Sequence, residues 1–169
     1  GYVTQIFLLY SQTMGGPQRR QRVFFIAHRA DLDYPKLKLE FHEKPIPFGE
    51  VRSKHGGPIK DCMMAELIGK RKRGDDCFSD ISERERGKRS MFTDKIVEDG
   101  KIAPTITASG MAVRFVDGEK FSDHDLKASQ TFPQDYDFLD QTAKYICGMS
   151  VPPVMMAQIS SAVYEQWLK

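Results

Sequence analysis

The sequence predicts an α/β fold in which this chain contributes part of a larger sheet. Residues 3–10 and 22–29 are continuous β-branched and aromatic runs, which is typical of strands buried on both faces. At the other end of the chain, apolar residues recur at every fourth position: Met155, Ile159, Val163 and Trp167. That spacing predicts one face of an amphipathic helix. Because two strands alone are marginal in water, we expect the rest of the sheet to come from elsewhere.

Composition places the chain among ordinary globular proteins. It has 169 residues, a net charge of +2, 40% hydrophobic and 28% charged residues. Cys62, Cys77 and Cys147 leave one thiol unpaired under any disulfide scheme, so a reducing cytosol suits the chain better than an oxidising compartment. We expect no membrane span, because no stretch of about 18 apolar residues is evident, and we expect no signal peptide.

The segment after the two strands predicts irregular structure followed by a helix. Glycine and proline at 15–17 separate the strands, and residues 30–60 are rich in proline, glycine and charge. Asp61 is a plausible N-cap for a helix that Gly74 would end. Its apolar stripe would consist of Met63, Met64, Leu67 and Ile68.

Shorter elements are predicted further along. A helix near 80–86 would open at Ser79 or Asp80. Residues 104–107 and 112–116 resemble short strands, with Gly118 in the turn that follows.

Two later helices carry start signals. Ser122 with Asp125 three residues on forms a capping box and predicts a helix over 122–130. A loop follows around Phe132, and the proline pair at 152–153 suits the first turn of the last helix.

Two basic runs with interleaved acids leave two interpretations open. Their basic members are Lys70, Arg71, Lys72, Arg73, Arg84, Arg86, Lys88 and Arg89. With acids at 75, 76, 80, 83 and 85, the runs are consistent with a solvated, salt-bridged surface. The alternative is a face that contacts phosphates.

Three local motifs stand out, each with a purely structural alternative. Gln18, Arg19, Arg20 and Arg22 precede the second strand, and the arginine fork suits phosphate oxygens and a base carbonyl. The second motif covers 120–136, a capped helix with a Phe-Pro turn. In the third, at 146–153, a Gly-x-Ser turn at a helix N-terminus would offer free N–H groups to an anion, or would simply cap the helix.

Taken in order, these motifs resemble the C-terminal half of the DNA (cytosine-5) methyltransferases. That family carries Pro-Gln-x-Arg-x-Arg before a strand, as at 17–22 here. A variable target recognition domain follows in the family, then a Pro-x-Thr-Ile stretch, as at 104–107, and a Phe-Pro turn, as at 132–133. A Gly-Asn-x-Val-Pro-Pro motif opens the last helix, as at 148–153. The resemblance covers nearly the whole chain and is weakest over about 32–100.

The chain also departs from the family pattern. Gly16 stands where the family usually has Val, Thr131 where it has Gly, and Met149 where it has Asn beside the methyl-donor pocket. A thioether cannot donate a hydrogen bond there. None of the three cysteines has the Pro-Cys-Gln context of the family's nucleophile, so each is interpreted as a buried or incidental thiol. The Phe-x-Gly-x-Gly and Glu-Asn-Val segments are absent too.

The resemblance implies roles for named residues. The fold would be a partial Rossmann-like, S-adenosylmethionine-dependent methyltransferase fold. Arg22 and Arg20 would contact a flipped cytosine and nearby phosphates, and Gln18 would shape that loop. Gly148, Ser150 and Val151 would form one wall of the S-adenosylmethionine pocket. Residues that would contact DNA are Arg19, Lys70, Arg71, Lys72, Arg73, Arg84, Arg86, Lys88 and Arg89.

The implied organisation has three parts. Residues 1–31 would end the catalytic sheet, 32–103 would form the target recognition domain, and 104–169 would close back on the catalytic domain. The expected partners are duplex DNA and an N-terminal catalytic half, without which the chain would be inactive. We expect no metal site, and a cytoplasmic, bacterial or phage-encoded enzyme. The alternative is a non-catalytic DNA-binding module or an inactive remnant of such an enzyme.

Overall fold

The computed structural model describes the backbone of residues 1–169 and every side chain except that of Cys62. The strands are β1 (Tyr2–Tyr10), β2 (Gln21–Arg29), β3 (Lys95–Val97) and β4 (Ala112–Arg114). The helices are α1 (Cys62–Gly69), α2 (Phe78–Arg86), α3 (Asp123–Gln130), α4 (Ala143–Met149) and α5 (Pro153–Val163), and a π-helical turn continues α5 over Tyr164–Leu168. Single 3₁₀ turns cover Ser11–Thr13 and Phe48–Glu50.

The first two strands form an antiparallel hairpin, in which Phe7 lies opposite Phe24 and Leu8 opposite Val23. Both strands were predicted. The expected burial on both faces is not seen in this chain, because side chains alternate between a packed and an open face. The open face consists of Tyr2, Ile6, Leu8, Tyr10, Val23 and Phe25, each at least 39% exposed.

The packed face of the hairpin is covered by α5. Met155, Ile159 and Trp167 are at most 9% exposed and form one apolar cluster with Leu9 and Met14. This confirms the amphipathic helix that the fourfold spacing predicted. The Trp167 indole donates from Nε1 to the Pro35 carbonyl at 2.8 Å, which ties the irregular segment after β2 to the same cluster.

Between the hairpin and α1 the chain is irregular, as predicted. Its one 3₁₀ turn brings Phe48 into a second apolar cluster, where its ring stacks on that of Phe121 with centroids 4.3 Å apart. The cluster is therefore built from the middle and the later parts of the sequence.

The helix α1 begins where predicted, with the Asp61 carboxylate accepting from the Met64 N–H at 2.9 Å. Its predicted end at Gly74 is wrong. The helix stops at Gly69, where the N–H groups of Lys70 and Arg71 bond three residues back to the carbonyls of Leu67 and Ile68, and Gly74 lies in a later turn at a φ of +97°.

Three neighbouring predictions need correction. The cap of α2 is Cys77 rather than Ser79 or Asp80, and Asp80 is the third helical residue, whose carboxylate accepts from the Cys77 N–H. Strand β3 was missed, although it pairs in parallel with β4 through Ile96 and Val113. Residues 104–107 are not a strand: their polar groups bond to the motif at 18–20 instead of to a ladder.

The capping box of α3 is confirmed and has a further role. Ser122 and Asp125 exchange the two reciprocal hydrogen bonds. Asp125, fully buried, also lies 3.5 Å from the buried Arg114 guanidinium, and its other oxygen accepts from the Ser53 N–H at 2.6 Å. A paired buried charge of this kind is costly to break, so it fastens three separate segments together.

The helix α4 was not predicted, and it directly precedes α5 at the C-terminal end of the chain. By length and composition, Ala143–Leu168 is the one helical stretch in the described chain that could cross a membrane, contrary to the expectation of none. That feature is weak evidence, since the core helix of a globular protein passes the same test. Ser150 adopts an extended conformation between α4 and α5, and the packed side of α5 is already covered by the hairpin.

Candidate functional site

Arg20 lies at the meeting point of three segments that are far apart in sequence. Its side chain is 1% exposed. One terminal nitrogen, Nη1, donates to the Ile106 carbonyl at 2.8 Å, and the other, Nη2, donates to the carbonyls of Gly148 and Ser150 at 2.7 Å each. The guanidinium therefore joins the start of β2 to the turn between α4 and α5.

Gln18 extends the same network. Its Nε2 donates to the Ser129 carbonyl at 3.2 Å and to Oε1 of Gln130 at 2.8 Å, while its Oε1 accepts from the Ile106 N–H. Gln130 in turn donates to the Ser150 carbonyl and hydroxyl at 3.0 Å. Every one of these polar groups is buried or half-buried, so the network holds a fixed geometry.

Burial perturbs the two titratable groups nearest the network. It lowers the pKa of Arg20 to about 10, helped by the positive charge of Arg22, and so leaves the guanidinium charged at neutral pH. Burial, with a smaller contribution from Asp123, raises the pKa of the Cys147 thiol to about 11. Cys147 is therefore a neutral thiol at neutral pH, which is unsuited to nucleophilic attack.

The other two arginines of the motif are more open. Arg19 is exposed, with its backbone N–H bonded to the Ala103 carbonyl. Arg22 is half-buried at the start of β2, and its guanidinium donates to the adjacent Gln21 carbonyl at 2.7 Å. Most of the donors of Arg22 remain available for a ligand, whereas both terminal nitrogens of Arg20 donate to protein carbonyls and its buried Nε has no partner.

The glycine at position 16, a departure from the family pattern, has a packing reason. A Cβ added to Gly16 would lie 1.9 Å from the Ser11 hydroxyl oxygen, and the Gly16 N–H donates to the Ser11 carbonyl at 2.9 Å. No larger residue fits that approach while Ser11 keeps its place.

The turn that precedes α5 differs from its predicted form. Gly148 belongs to the last turn of α4, and the Ser150 N–H donates to the Ile146 carbonyl at 2.9 Å. The motif was expected to offer free N–H groups, and the Ser150 N–H is not one of them, because α4 ends there. A Cβ on Gly148 would lie 2.3 Å from the Ala108 nitrogen, whereas Met149 is 64% exposed and Val151 is half-buried.

The two basic runs lie on α1, α2 and their connections, and much of their charge is paired. Ion pairs join Lys70 and Arg86 to Glu66, Arg84 to Asp75 and Glu85, and Arg89 to Asp80 and Glu83. Arg71 donates to the carbonyls of Ile68 and Phe115. Lys72, Arg73 and Lys88 are exposed. This arrangement favours the salt-bridged interpretation for most of the two runs.

Among the described residues, the cysteine thiols and the possible metal ligands do not form a second candidate site. Cys77 and Cys147 are free and buried, and the Cys62 side chain lies outside the described residues. Among the side chains that are described, no three His, Cys, Asp or Glu residues approach closely enough to hold a metal ion.

Sequence reasoning missed several residues of this network. Ser129 and Gln130 lie at the end of α3, and Arg114 lies in a strand only three residues long. The capping box that marks Asp125 was a usable signal for α3, but nothing local indicated that its carboxylate also pairs with Arg114.

Solved structures with a similar fold include several methyltransferases. A protein described as a DNA modification methyltransferase encoded within a prophage (E. coli) superposes with a TM-score of 0.73 at 11% identity, covering 99% of this chain and 62% of that one. The Entamoeba histolytica methyltransferase EhMeth gives 0.61 at 13% identity, over 99% and 55%. A Spodoptera frugiperda DNMT2 variant gives 0.64 at 12% identity, over 96% and 58%. The chain thus has an α/β methyltransferase fold and spans less than two thirds of each.

Comparison of the sequence with protein-family models assigns the chain to a particular family of methyltransferases. The family model of the C-5 cytosine-specific DNA methylases matches residues 1–165. The chain belongs to this family. No curated protein matches it in a direct sequence comparison.

Proposed function

We propose that this chain is the C-terminal, DNA-recognising part of a DNA cytosine-5 methyltransferase. Completed by an N-terminal catalytic half, it would help transfer a methyl group from S-adenosylmethionine to C5 of a cytosine flipped out of duplex DNA. The observation that carries the proposal is the open apolar face of the hairpin, in a chain that spans only 55–62% of the methyltransferases it resembles. An apolar surface of that kind on a two-stranded sheet calls for a covering partner.

The proposed division of the chain follows the expected order. Residues 1–31 and 104–169 would belong to the catalytic domain and its closing segment, and 32–103 would read the target bases. Support comes from the apolar cluster that joins the hairpin to α5 and from a separate cluster that contains α1, α2 and β3. Both clusters also take in residues from across the proposed boundaries, Leu37 and Leu39 in the first and Val113 of β4 in the second. Phosphate contacts would position the recognition part and base contacts would specify the sequence.

Within the motif at 18–22, we assign different roles to the three arginines. Arg22 and the exposed Arg19 have donors to offer to a flipped cytosine and its phosphates. Arg20 and Gln18 would act indirectly, by holding the loop against Ile106, Gly148 and Ser150. Among the basic runs, the exposed Lys72, Arg73 and Lys88 are the better candidates for phosphate contacts.

S-adenosylmethionine would supply the methyl group. Gly148, Ser150 and Val151 would contribute one wall of its pocket, close to the exposed Met149. The fit to these residues is partial, since the Ser150 N–H and carbonyl are already used within the protein. Most contacts with the donor would therefore come from the catalytic half, which would also supply the nucleophilic cysteine.

A second candidate is a non-catalytic DNA-binding module, favoured by the lack of a Pro-Cys-Gln cysteine in these residues. Reconstitution separates the two. The chain is mixed with a catalytic half from the same source, labelled S-adenosylmethionine and duplex DNA, with each half alone as a control. Label entering DNA only in the mixture supports the methyltransferase. Tight, salt-sensitive DNA binding without transfer supports the module. A cytoplasmic, bacterial or phage-encoded setting would suit either.

The role of Arg22 gives a specific prediction. In the completed enzyme, Arg22→Ala should lower the methylation rate at least about tenfold while duplex affinity changes little, because one positioned contact to the reacting base is lost and the phosphate contacts remain. Single-turnover methylation and a binding titration on the same duplex measure the two effects. Lys36→Ala, at an exposed position outside the motif, is the control. Equal losses of rate and affinity would contradict the assigned role.

A further inference from the structure

A cleft of about 600 Å³ lies between the start of β3, the segment 104–107 and the N-terminal turn of α3. Its volume falls in the range of roughly 300–1,000 Å³ that is usual for small-molecule sites. The cleft does not contain Arg20 or Arg22, although Ile106, whose carbonyl binds Arg20, contributes to its lining. It is therefore a separate cavity next to the motif, and the role proposed for the motif does not account for it.

The charges around the cleft favour an anionic ligand. Its lining includes three lysines, Lys95, Lys120 and Lys144, and two carboxylates, Asp94 and Asp123, which gives a net charge of +1. The ammonium groups of Lys95 and Lys120 make no hydrogen bond to the described residues. Lys144 donates once, to the Ser109 carbonyl at 2.9 Å. Two free ammonium groups can thus meet an anion without breaking an existing contact.

The rest of the lining is largely apolar. Ile106, Phe121 and Leu126 are at most 8% exposed and form an apolar floor, to which Met111 also contributes. The hydroxyl of Thr107 accepts from the Gly110 N–H, so it is already engaged. A flat, weakly polar group would bury against this floor while its charge stayed at the lysines.

We propose that the cleft accommodates one nucleotide of a DNA strand, with its phosphodiester at Lys95 and Lys120 and its base or sugar against the apolar floor. A phosphodiester carries one negative charge, which the two free ammonium groups can pair by charge-assisted hydrogen bonds. The proposal rests on the proposed function, because it presumes a DNA substrate. The bound nucleotide would be a second one, distinct from the cytosine that reacts.

The test is a titration of the full chain with three probes, followed by ¹⁵N–¹H NMR. The probes are the dinucleotide dTpdT, the free monophosphate dTMP and inorganic phosphate. We expect saturable shifts around the cleft with dTpdT and weaker ones with dTMP and phosphate. Lys95→Gln with Lys120→Gln should weaken dTpdT binding about tenfold. Lys36→Gln with Lys38→Gln, at two exposed lysines away from the cleft, should not. Thr93→Trp, at an exposed position on the rim, should block binding without touching the core.

Three results would overturn the proposal. Equal or tighter binding of dTMP would assign the cleft to a free nucleotide, and equal binding of phosphate would reduce it to an anion site. Shifts that the two lysine substitutions leave unchanged would place the ligand elsewhere.

The completed enzyme separates this inference from the proposed function. In that enzyme, the Lys95 and Lys120 double variant should raise KM for duplex DNA several-fold and leave kcat unchanged. Methyl transfer by the double variant with an unchanged KM would contradict the role proposed for the cleft and leave the proposed function standing. Specific dTpdT binding by a chain that never supports transfer would refute the methyltransferase alone.

Discussion

Arg20 and Arg22 stand two residues apart in one motif, yet their surroundings differ. The terminal nitrogens of Arg20 donate to the carbonyls of Ile106, Gly148 and Ser150. The Arg22 guanidinium makes one hydrogen bond, to the carbonyl of the adjacent Gln21. Arginine suits the first position because a planar fork can reach several acceptors at once, which lysine cannot do. The motif thus combines a structural tie with an available cation.

The structural tie can be measured. Arg20→Met should lower the free energy of unfolding by about 3 kcal/mol, because several buried carbonyls would lose a charged donor at once. Arg19→Met is the matched control at an exposed neighbour and should change stability by less than about 0.5 kcal/mol. Urea unfolding followed by the fluorescence of Trp167 gives both values. A loss below about 1 kcal/mol for Arg20→Met would show that the carbonyls find other donors.

Because the Cys147 thiol is buried, we expect the free energy of unfolding to depend on pH in the alkaline range. Burial raises the pKa of the thiol from 9.0 to about 11. Above pH 9 the Cys147 thiol ionises in the unfolded chain before it does so in the folded one. The stability that the neutral buried thiol contributes is therefore fully present below pH 9 and is lost as the pH rises towards 11. Its size is on the order of 2 kcal/mol. The chain should therefore lose more stability than Cys147→Ala between pH 8.5 and 10.5 in urea unfolding, and parallel profiles would count against a buried neutral thiol.

At the level of elements, α4 depends on a glycine for its position. Gly148→Ala should cost at least about 2 kcal/mol, because the new Cβ would lie 2.3 Å from the Ala108 nitrogen and backbone would have to move. Gly69→Ala, at the end of α1, has nothing within 4 Å of its added Cβ and should be neutral or stabilise by up to about 1 kcal/mol. Thermal unfolding of the two variants compares them directly. Equal effects would mean that the segment around Ala108 can move away.

The elements found from the sequence share one property: their signals are local. Asp61 and the Ser122–Asp125 pair are caps that act within three residues, and the fourfold spacing of α5 is a property of one helix. By contrast, β3 has only three residues and depends on pairing with β4. The helix α4 was missed because its glycine and the motif at 146–153 indicated a turn.

The sequence indicated which two segments form the candidate site, but not how they are arranged. The sequence indicated that residues 18–22 and 148–151 carry chemistry, and the chain brings both segments together through Arg20. It did not indicate that Arg20 faces inward, because one residue of offset along an extended segment decides which side chain is buried. The contacts of Gln18 with Ser129 and Gln130 cross more than a hundred residues and leave no local pattern.

For the whole molecule, the main feature is the open face of the hairpin, whose large apolar side chains are exposed to solvent. Ile6 and Phe25 lie opposite each other and are 65% and 70% exposed. Side chains of this size on a strand normally pack against a neighbouring layer. The proposed catalytic half would supply that layer.

Association with that half should depend on this face. Phe25→Lys should leave the stability of the isolated chain within about 0.5 kcal/mol, because the side chain is mostly exposed there. It should weaken binding to the catalytic half at least about a hundredfold, since an unpaired lysine would be buried at the interface. Met91→Lys, at a residue 96% exposed elsewhere, is the control. Sedimentation velocity on each mixture measures association, and unchanged binding by Phe25→Lys would place the interface on another surface.

The packing of the hairpin against α5 brings the beginning and the end of the chain together in one cluster. Residues 44–102 form an excursion from this part of the chain. It leaves next to Glu43, whose N–H donates to the Thr13 carbonyl, and returns at Ala103, whose carbonyl accepts from the Arg19 N–H. The entropy of closing such an excursion grows slowly with length, by about 0.6 kcal/mol for each doubling. Insertions and deletions in the intervening part would therefore cost little during evolution, so that part can diversify while the closure is inherited unchanged.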